Sequence, residues 1–197
     1  MTMKTLSFLP LLALGLLFAS GCTHTAKMRV ASGARIQNSA SGKIPLHICL
    51  VLRPEFRSYE YKFENMGDTW VYPFGQTAQD QAVSLCQQTF ANVSVSTNHA
   101  IPQGVDAVLD PEVLRTGYAI SAGKFDFTLR LEWILRDSQN QNILWATTID
   151  GKAIEKQKKV FQKLFDELAN QSHQAFVESE EIHRLVASLG RTHPANR

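Results

Sequence analysis

Residues Phe125 to Trp145 read FDFTLRLEWILRDSQNQNILW. Phe125, Phe127, Leu129, Leu131, Trp133 and Leu135 alternate with Asp126, Thr128, Arg130, Glu132, Ile134 and Arg136, the clearest period of two in the chain. Successive side chains of a strand point to opposite faces. The run is therefore a strand with Leu131 and Trp133 on the core face and Arg130 and Glu132 on the wetter one. A slip of one residue would invert every side chain, so the same pattern sets the register. Asp137 to Asn142, DSQNQN, is an exposed turn of Asp/Ser/Asn type. Ile143 to Ala153 returns as the hairpin partner, with Ile143, Trp145, Thr147 and Ile149 on one side. Trp133 and Trp145 then share a face, where aromatic core packing is expected.

Working back from this hairpin, Asp106 to Ser121 is long and β-prone, and Asp110-Pro111 within it marks a bulge or an edge position. Further upstream, Leu46, Ile48, Leu50 and Leu52 alternate with His47, Cys49, Val51 and Arg53, a strand with one strongly apolar face that Pro54 ends. Tyr59 to Glu64 alternates aromatic with charged residues, as a second amphipathic strand or an irregular segment. Asn65 to Asp68 is a turn and Thr69 to Tyr72 a short β-prone piece. Thr77 and Asp80 stand in a capping-box relation. Ala78, Ala82, Leu85, Cys86 and Phe90 then recur at helical steps, predicting a helix from Thr77 to about Asn92. Val93 and Val95 start a brief strand.

Downstream, Val160, Phe161, Leu164, Phe165, Leu168, Ala169, Ala175 and Phe176 form the apolar stripe of a helix from about Glu155 to Val177. Lys156, Lys158, Lys159 and Lys163 crowd its first half, against the helix dipole, so they call for solvent or an acidic partner. Ser179 with Glu180 and Glu181 restarts a short helix that Gly190 stops. The pattern is α+β: a mainly antiparallel sheet of about four to five strands packed by two main helices.

The chain has 197 residues, 44% apolar and 9% aromatic, with a formal net charge of +2. That suits one folded domain and gives no overall steering toward nucleic acid. Phosphate-binding loops, nucleophile elbows, zincin helices and EF-hand loops are missing from the sequence. Asp106, Asp110 and Glu112 cluster near a proline, but three acids on a β segment read as a solvated face. His47 and Cys49 lie two apart on one strand face, a weak thiol–imidazole candidate without an orienting third group. Asn92-Val-Ser94 and Asn170-Gln-Ser172 match a glycosylation sequon. No catalytic, metal-binding or cofactor-binding residue is expected.

Met1 to Cys22 reads MTMKTLSFLPLLALGLLFASGC: one Lys4, an apolar run from Leu6 to Phe18, then Ala19-Ser20-Gly21-Cys22. These are the features of a secretion signal, with an apolar run short for a membrane span. The ending resembles the lipobox of bacterial lipoproteins, with Ala19 where leucine is favoured. The resemblance implies cleavage before Cys22 and lipid attachment at Cys22. Thr23 in place of an aspartate implies sorting to the outer membrane. Residues 23–44 are Ser/Ala/Gly/Thr-rich, with Lys27, Arg29, Arg35 and Lys43 and no acid. They are expected as a flexible tether whose cations could touch anionic headgroups. The expected organisation is thus 1–21 signal peptide, 22–44 lipidated N-terminus and tether, 45–190 one α+β domain, and 191–197 a flexible tail. With Cys22 acylated, Cys49 and Cys86 remain, and a single disulfide between them is possible in an oxidising compartment. Their sequence places Cys49 on the strand side opposite Leu46, Ile48 and Leu50, which would point it away from Cys86.

The Thr77–Phe90 helix, the AVLDPEV segment from Ala107 to Val113 and the Phe125–Trp145 hairpin together resemble small α+β domains of outer-membrane and periplasmic assembly lipoproteins. That resemblance implies a non-catalytic binding or assembly subunit, held to the membrane through Cys22, facing the periplasm and meeting an envelope protein partner. It implies no nucleic acid. The alternative is a small-ligand or lipid-binding module with its pocket between the sheet and the two helices.

Overall fold

A computed structural model describes residues 22–37, 42–65, 67–98 and 100–190. The expected signal peptide and C-terminal tail lie outside these residues. The alternating hairpin forms as its periodicity dictates. Strands β6 (Ala107–Ser121), β7 (Lys124–Asp137) and β8 (Ile143–Glu155) make an antiparallel meander. Leu131 and Trp133 are buried in the main core, while Arg130 is exposed and bonded to Asp150 across the strand pair at 2.6 and 2.8 Å. The Trp133 indole N–H donates to Ser172 Oγ at 2.9 Å, and its ring meets Phe176 edge-on, as does Trp145 at a tilt. One strand position departs from expectation. The ladder shifts between Leu135 and Arg136, so Leu144 is an extra residue in β8, and Ile143 ends 60% exposed while Leu144 packs on the core.

Two strands join the meander in parallel. β2 (Ile44–Val51) lies between β5 (Phe90–Ser96) and β6 and runs parallel to both, giving a mixed sheet in the order β5-β2-β6-β7-β8. A parallel strand in this central position is covered on both faces. Leu46, Ile48, Leu50 and Leu52 enter the main core, and Cys49 and Val51 pack with Val105 and Val108 in a second cluster. β3 (Tyr61–Asn65) and β4 (Asp68–Tyr72) form an antiparallel hairpin. β1 (Thr23–Thr25) adds to β4 in parallel, completing a separate three-stranded sheet.

The short helix α1 (Pro54–Arg57) buries Phe56. Helix α2 spans Phe74–Thr89, so it starts three residues before the Thr77 capping signal and ends before Asn92. Burial explains the early start. Phe74 packs among Phe127, Phe161 and Phe165, and the Gly75 N–H donates to the Tyr59 carbonyl at 2.9 Å. Pro73 precedes it without a side-chain cap. Helix α3 (Gln157–Glu178) buries the predicted stripe against β8 and β7; Glu155 itself belongs to β8. Ser179 caps α4 (Glu180–Ser188), its hydroxyl accepting from Ile182 N at 3.2 Å.

The expected tether is the main correction. Over residues 22–37 it is a strap laid on the domain, with Ala26 and Ala34 buried. Side-chain amides of the helices hold it. Gln81 donates to the Ala31 carbonyl and Gln88 to the Ala34 carbonyl, both at 2.8 Å, while the N–H groups of Ala31 and Gln37 donate to Gln162 and Asn170 at 2.7 Å. A Ser/Ala/Gly-rich composition reads as flexible because it lacks apolar periodicity, yet small residues are what allows a strap to lie close against two helices. Among the described residues, packing on the domain therefore already includes residues 22–37, upstream of Pro45.

Candidate functional site

Cys22 is joined directly to β1. Its N–H donates to Asp68 Oδ1 at 3.2 Å and its carbonyl accepts from Thr69 N at 2.9 Å. The ladder continues as Thr23–Thr69, His24–Trp70 and Thr25–Val71, and the Ala26 N–H reaches the Val71 carbonyl at 2.8 Å. The His24 ring stacks on Trp70 with centroids 4.8 Å apart, and its Nε2 lies 3.6 Å from Asp68 Oδ2. The Cys22 side chain is exposed at this edge. Both backbone polar groups of Cys22 are thus tied to the β3–β4 hairpin, and a group attached to its sulfur leaves the fold with no intervening linker.

The Cys22 sulfur, a His24 ring nitrogen and an Asp68 oxygen also lie within 4.8 Å of one another. Such a set could offer a metal three ligands only while Cys22 is a free thiolate. Lipid attachment turns that sulfur into a thioether, so acylation and thiolate ligation are mutually exclusive here.

The other sequence candidates do not converge. Cys49 and Cys86 are free and buried, Cys86 in the main core and Cys49 in the second cluster across the β2 strand. Alternation along β2 directs Cys49 away from α2, which carries Cys86, and the two thiols are unbonded in this structure. Burial pushes both thiols up from their ordinary range, which makes them poor nucleophiles. His47 has both ring nitrogens engaged: Nδ1 lies 3.2 Å from the Gly104 carbonyl oxygen and Nε2 2.8 Å from the Ser94 hydroxyl. It ties β5 and the following loop to β2 instead of pairing with Cys49.

The three acids separate as well. Asp106 accepts from the His47 backbone N–H at 2.7 Å, and Glu112 is exposed. Asp110 is buried at 4% exposure and paired with Arg53, where a solvated face was expected. Burial raises its carboxyl above the ordinary value and the Arg53 guanidinium opposes that rise. The β6 ladder runs regularly through Asp110 and Pro111, its shift falling between Val113 and Arg115, and Pro111 lies beside Arg53 and α1, a tertiary neighbour that acid spacing along β6 cannot reveal. This ion pair borders a hollow of about 170 Å³.

Between the sheet and the helices, where a ligand pocket was the alternative expectation, the cavity is about 20 Å³, lined by Trp133, Leu131, Phe165 and Gln81 among others. Ligand sites run to roughly 300–1,000 Å³, so this space suits about one water molecule. The large concavity is elsewhere: a cleft of about 980 Å³ between the strap and α3, with Arg29, Arg35, Lys158, Lys159 and Lys163 around it. The tether cations and the helix lysines are each visible in the sequence; their meeting is not, because the strap's path depends on long-range amide contacts. Among the described residues no helix is long and apolar enough to cross a membrane.

No family model matches the chain, and no curated protein matches it. Solved structures do resemble it. XCC0632 of Xanthomonas campestris, described under the family DUF330, aligns with a TM-score of 0.49 at 12% identity, over 85% of this chain and 97% of that one. The PelC dodecamer of Paraburkholderia phytofirmans gives 0.41 at 15% identity over 69% and 96%. Lipoprotein GNA1162 of Neisseria meningitidis gives 0.33 at 17% identity over 56% and 84%. At these identities and TM-scores, the likenesses assign neither an activity nor a partner to this chain.

Proposed function

We propose that this chain is a lipoprotein of the bacterial envelope, attached through Cys22 to the outer membrane and facing the periplasm, where it serves as a non-catalytic binding or assembly subunit. One observation carries the reading: the exposed Cys22 is bonded through its own backbone to Asp68 and Thr69, so an acyl group there would seat the domain against the bilayer. Several acyl chains hold a protein stably, whereas one is marginal. The dispersal of Cys49, His47, Asp106 and Asp110 into separate structural roles supports a binding role over a catalytic one.

Labelling cells with a traceable fatty acid tests the anchor. The native chain takes up label and fractionates with the outer membrane, and Cys22→Ser loses the label and accumulates as precursor. Label retained in Cys22→Ser, or native chain recovered without label, rejects the reading. Crosslinking in intact envelopes at native expression then recovers a discrete protein partner; its absence rejects the assembly role while leaving the anchor intact.

A further inference from the structure

The strap–α3 cleft gathers five cations from two separate parts of the chain, Arg29 and Arg35 from the strap and Lys158, Lys159 and Lys163 from the first two turns of α3. Three acids share it, Glu155, Asp166 and Glu167, and each is turned to an amide. Asp166 accepts from the Gln162 side chain at 2.7 Å, Glu167 from Gln171 at 2.6 Å, and Glu155 from the Lys156 N–H at 3.3 Å. Among the described residues, none of the five cations has a carboxylate within 4.0 Å. The strap is fastened by Gln162 and Asn170, so its two arginines are held over the helix with their charge unspent.

Like charges one helical turn apart, as at Lys159 and Lys163, repel, and no acid in the first turn of α3 offsets them. An anion in the cleft would. Arginine forks match the oxygens of a phosphate in pairs, and lysines add point charges around them. An acidic peptide fits less well: it would string its carboxylates along the groove, past Glu155, Asp166 and Glu167. A compact anion can sit among the cations and avoid those acids. The volume, about 980 Å³, admits a group larger than a single phosphate.

We propose that this cleft binds a phosphate-bearing anion carrying at least two charges, either the headgroup of a lipid or a soluble phosphorylated molecule. The site stands on the charge geometry and does not require that Cys22 be acylated.

The full chain, held in a neutral detergent and phosphate-free buffer, is titrated by calorimetry in two arms: micelles doped with cardiolipin, whose headgroup carries two phosphates, and pyrophosphate. Saturable binding in either arm is expected, weakened at least fivefold by Lys159→Glu and by less than twofold by Arg115→Glu, an exposed cation of β6 outside the cleft. Both substitutions are at exposed positions, and unchanged thermal unfolding shows that the variants remain folded. Binding to doped micelles alone identifies the lipid source, binding to pyrophosphate alone the soluble one, and mutual competition the shared chemistry. No saturable binding in either arm overturns the proposal. So does an equal loss in Arg115→Glu, or an octaglutamate peptide binding more tightly than pyrophosphate.

Discussion

Gly75→Ala sets two physical effects against each other. Gly75 is the second residue of α2, and alanine exceeds glycine in helix propensity by about 1 kcal/mol, so an open position would be stabilised. Its backbone is outside the left-handed region, so an L side chain is conformationally acceptable there. The space is what forbids it. A Cβ at Gly75 would lie 2.2 Å from the Arg57 carbonyl oxygen, 2.5 Å from its carbon and 2.7 Å from Tyr59 N, all closer than the 3.0 Å that real Cβ atoms respect. Every one of these atoms is backbone, so no rotamer change relieves the contact. Relief needs α1 to move by most of an ångström, and α1 carries the buried Phe56. Overpacking of this kind costs about 1–3 kcal/mol and occasionally more. The net expectation is a loss of about 2 kcal/mol, read as a lower urea midpoint at unchanged slope. Gly117→Ala is the control, because its new Cβ meets only the hydroxyl of the exposed Thr128, which can rotate; it should cost under about 1 kcal/mol. A midpoint for Gly75→Ala at or above that of the native chain would refute the packing of α1 on α2.

Two further outcomes follow from the core and from one histidine. Leu131→Ala should cost about 2–5 kcal/mol through lost burial and a cavity, and Glu132→Ala about 0.5 kcal/mol or less; denaturant midpoints in the reverse order would mean that the faces of β7 are inverted. His173, half-buried and bonded to Thr89 Oγ1 at 2.9 Å, has its pKa lowered by burial, so the fold favours the neutral ring. The stability this gives is full above the unfolded value of about 6.5 and is lost as pH falls through the lower folded value. Urea midpoints should therefore drop more steeply below about pH 6.5 in the native chain than in His173→Gln, and parallel slopes would refute the assignment.

What the sequence determined by itself is what rests on short-range order. The period of two from Phe125 to Leu135 puts Trp133 in the core because neighbouring side chains of a strand must alternate. The stripe from Val160 to Phe176 and the Ser179 cap are equally local, and both form where the residues say they should. Tertiary structure alone decided the rest. Gln81, Gln88, Gln162 and Asn170 lie outside the apolar stripes of their helices, and their amides bind a strap some 50 to 135 residues away along the chain, turning an expected tether into a wall of a cleft. Asp110 reads as solvated until Arg53 arrives from another element. Alternation along β2 already turns Cys49 away from Cys86; what only the fold supplies is the cluster it enters, with Val105 and Val108 brought alongside by the pairing of β2 with β6. Periodicity is carried by residues a few positions apart, whereas these partners are chosen by which elements the folded chain brings into contact.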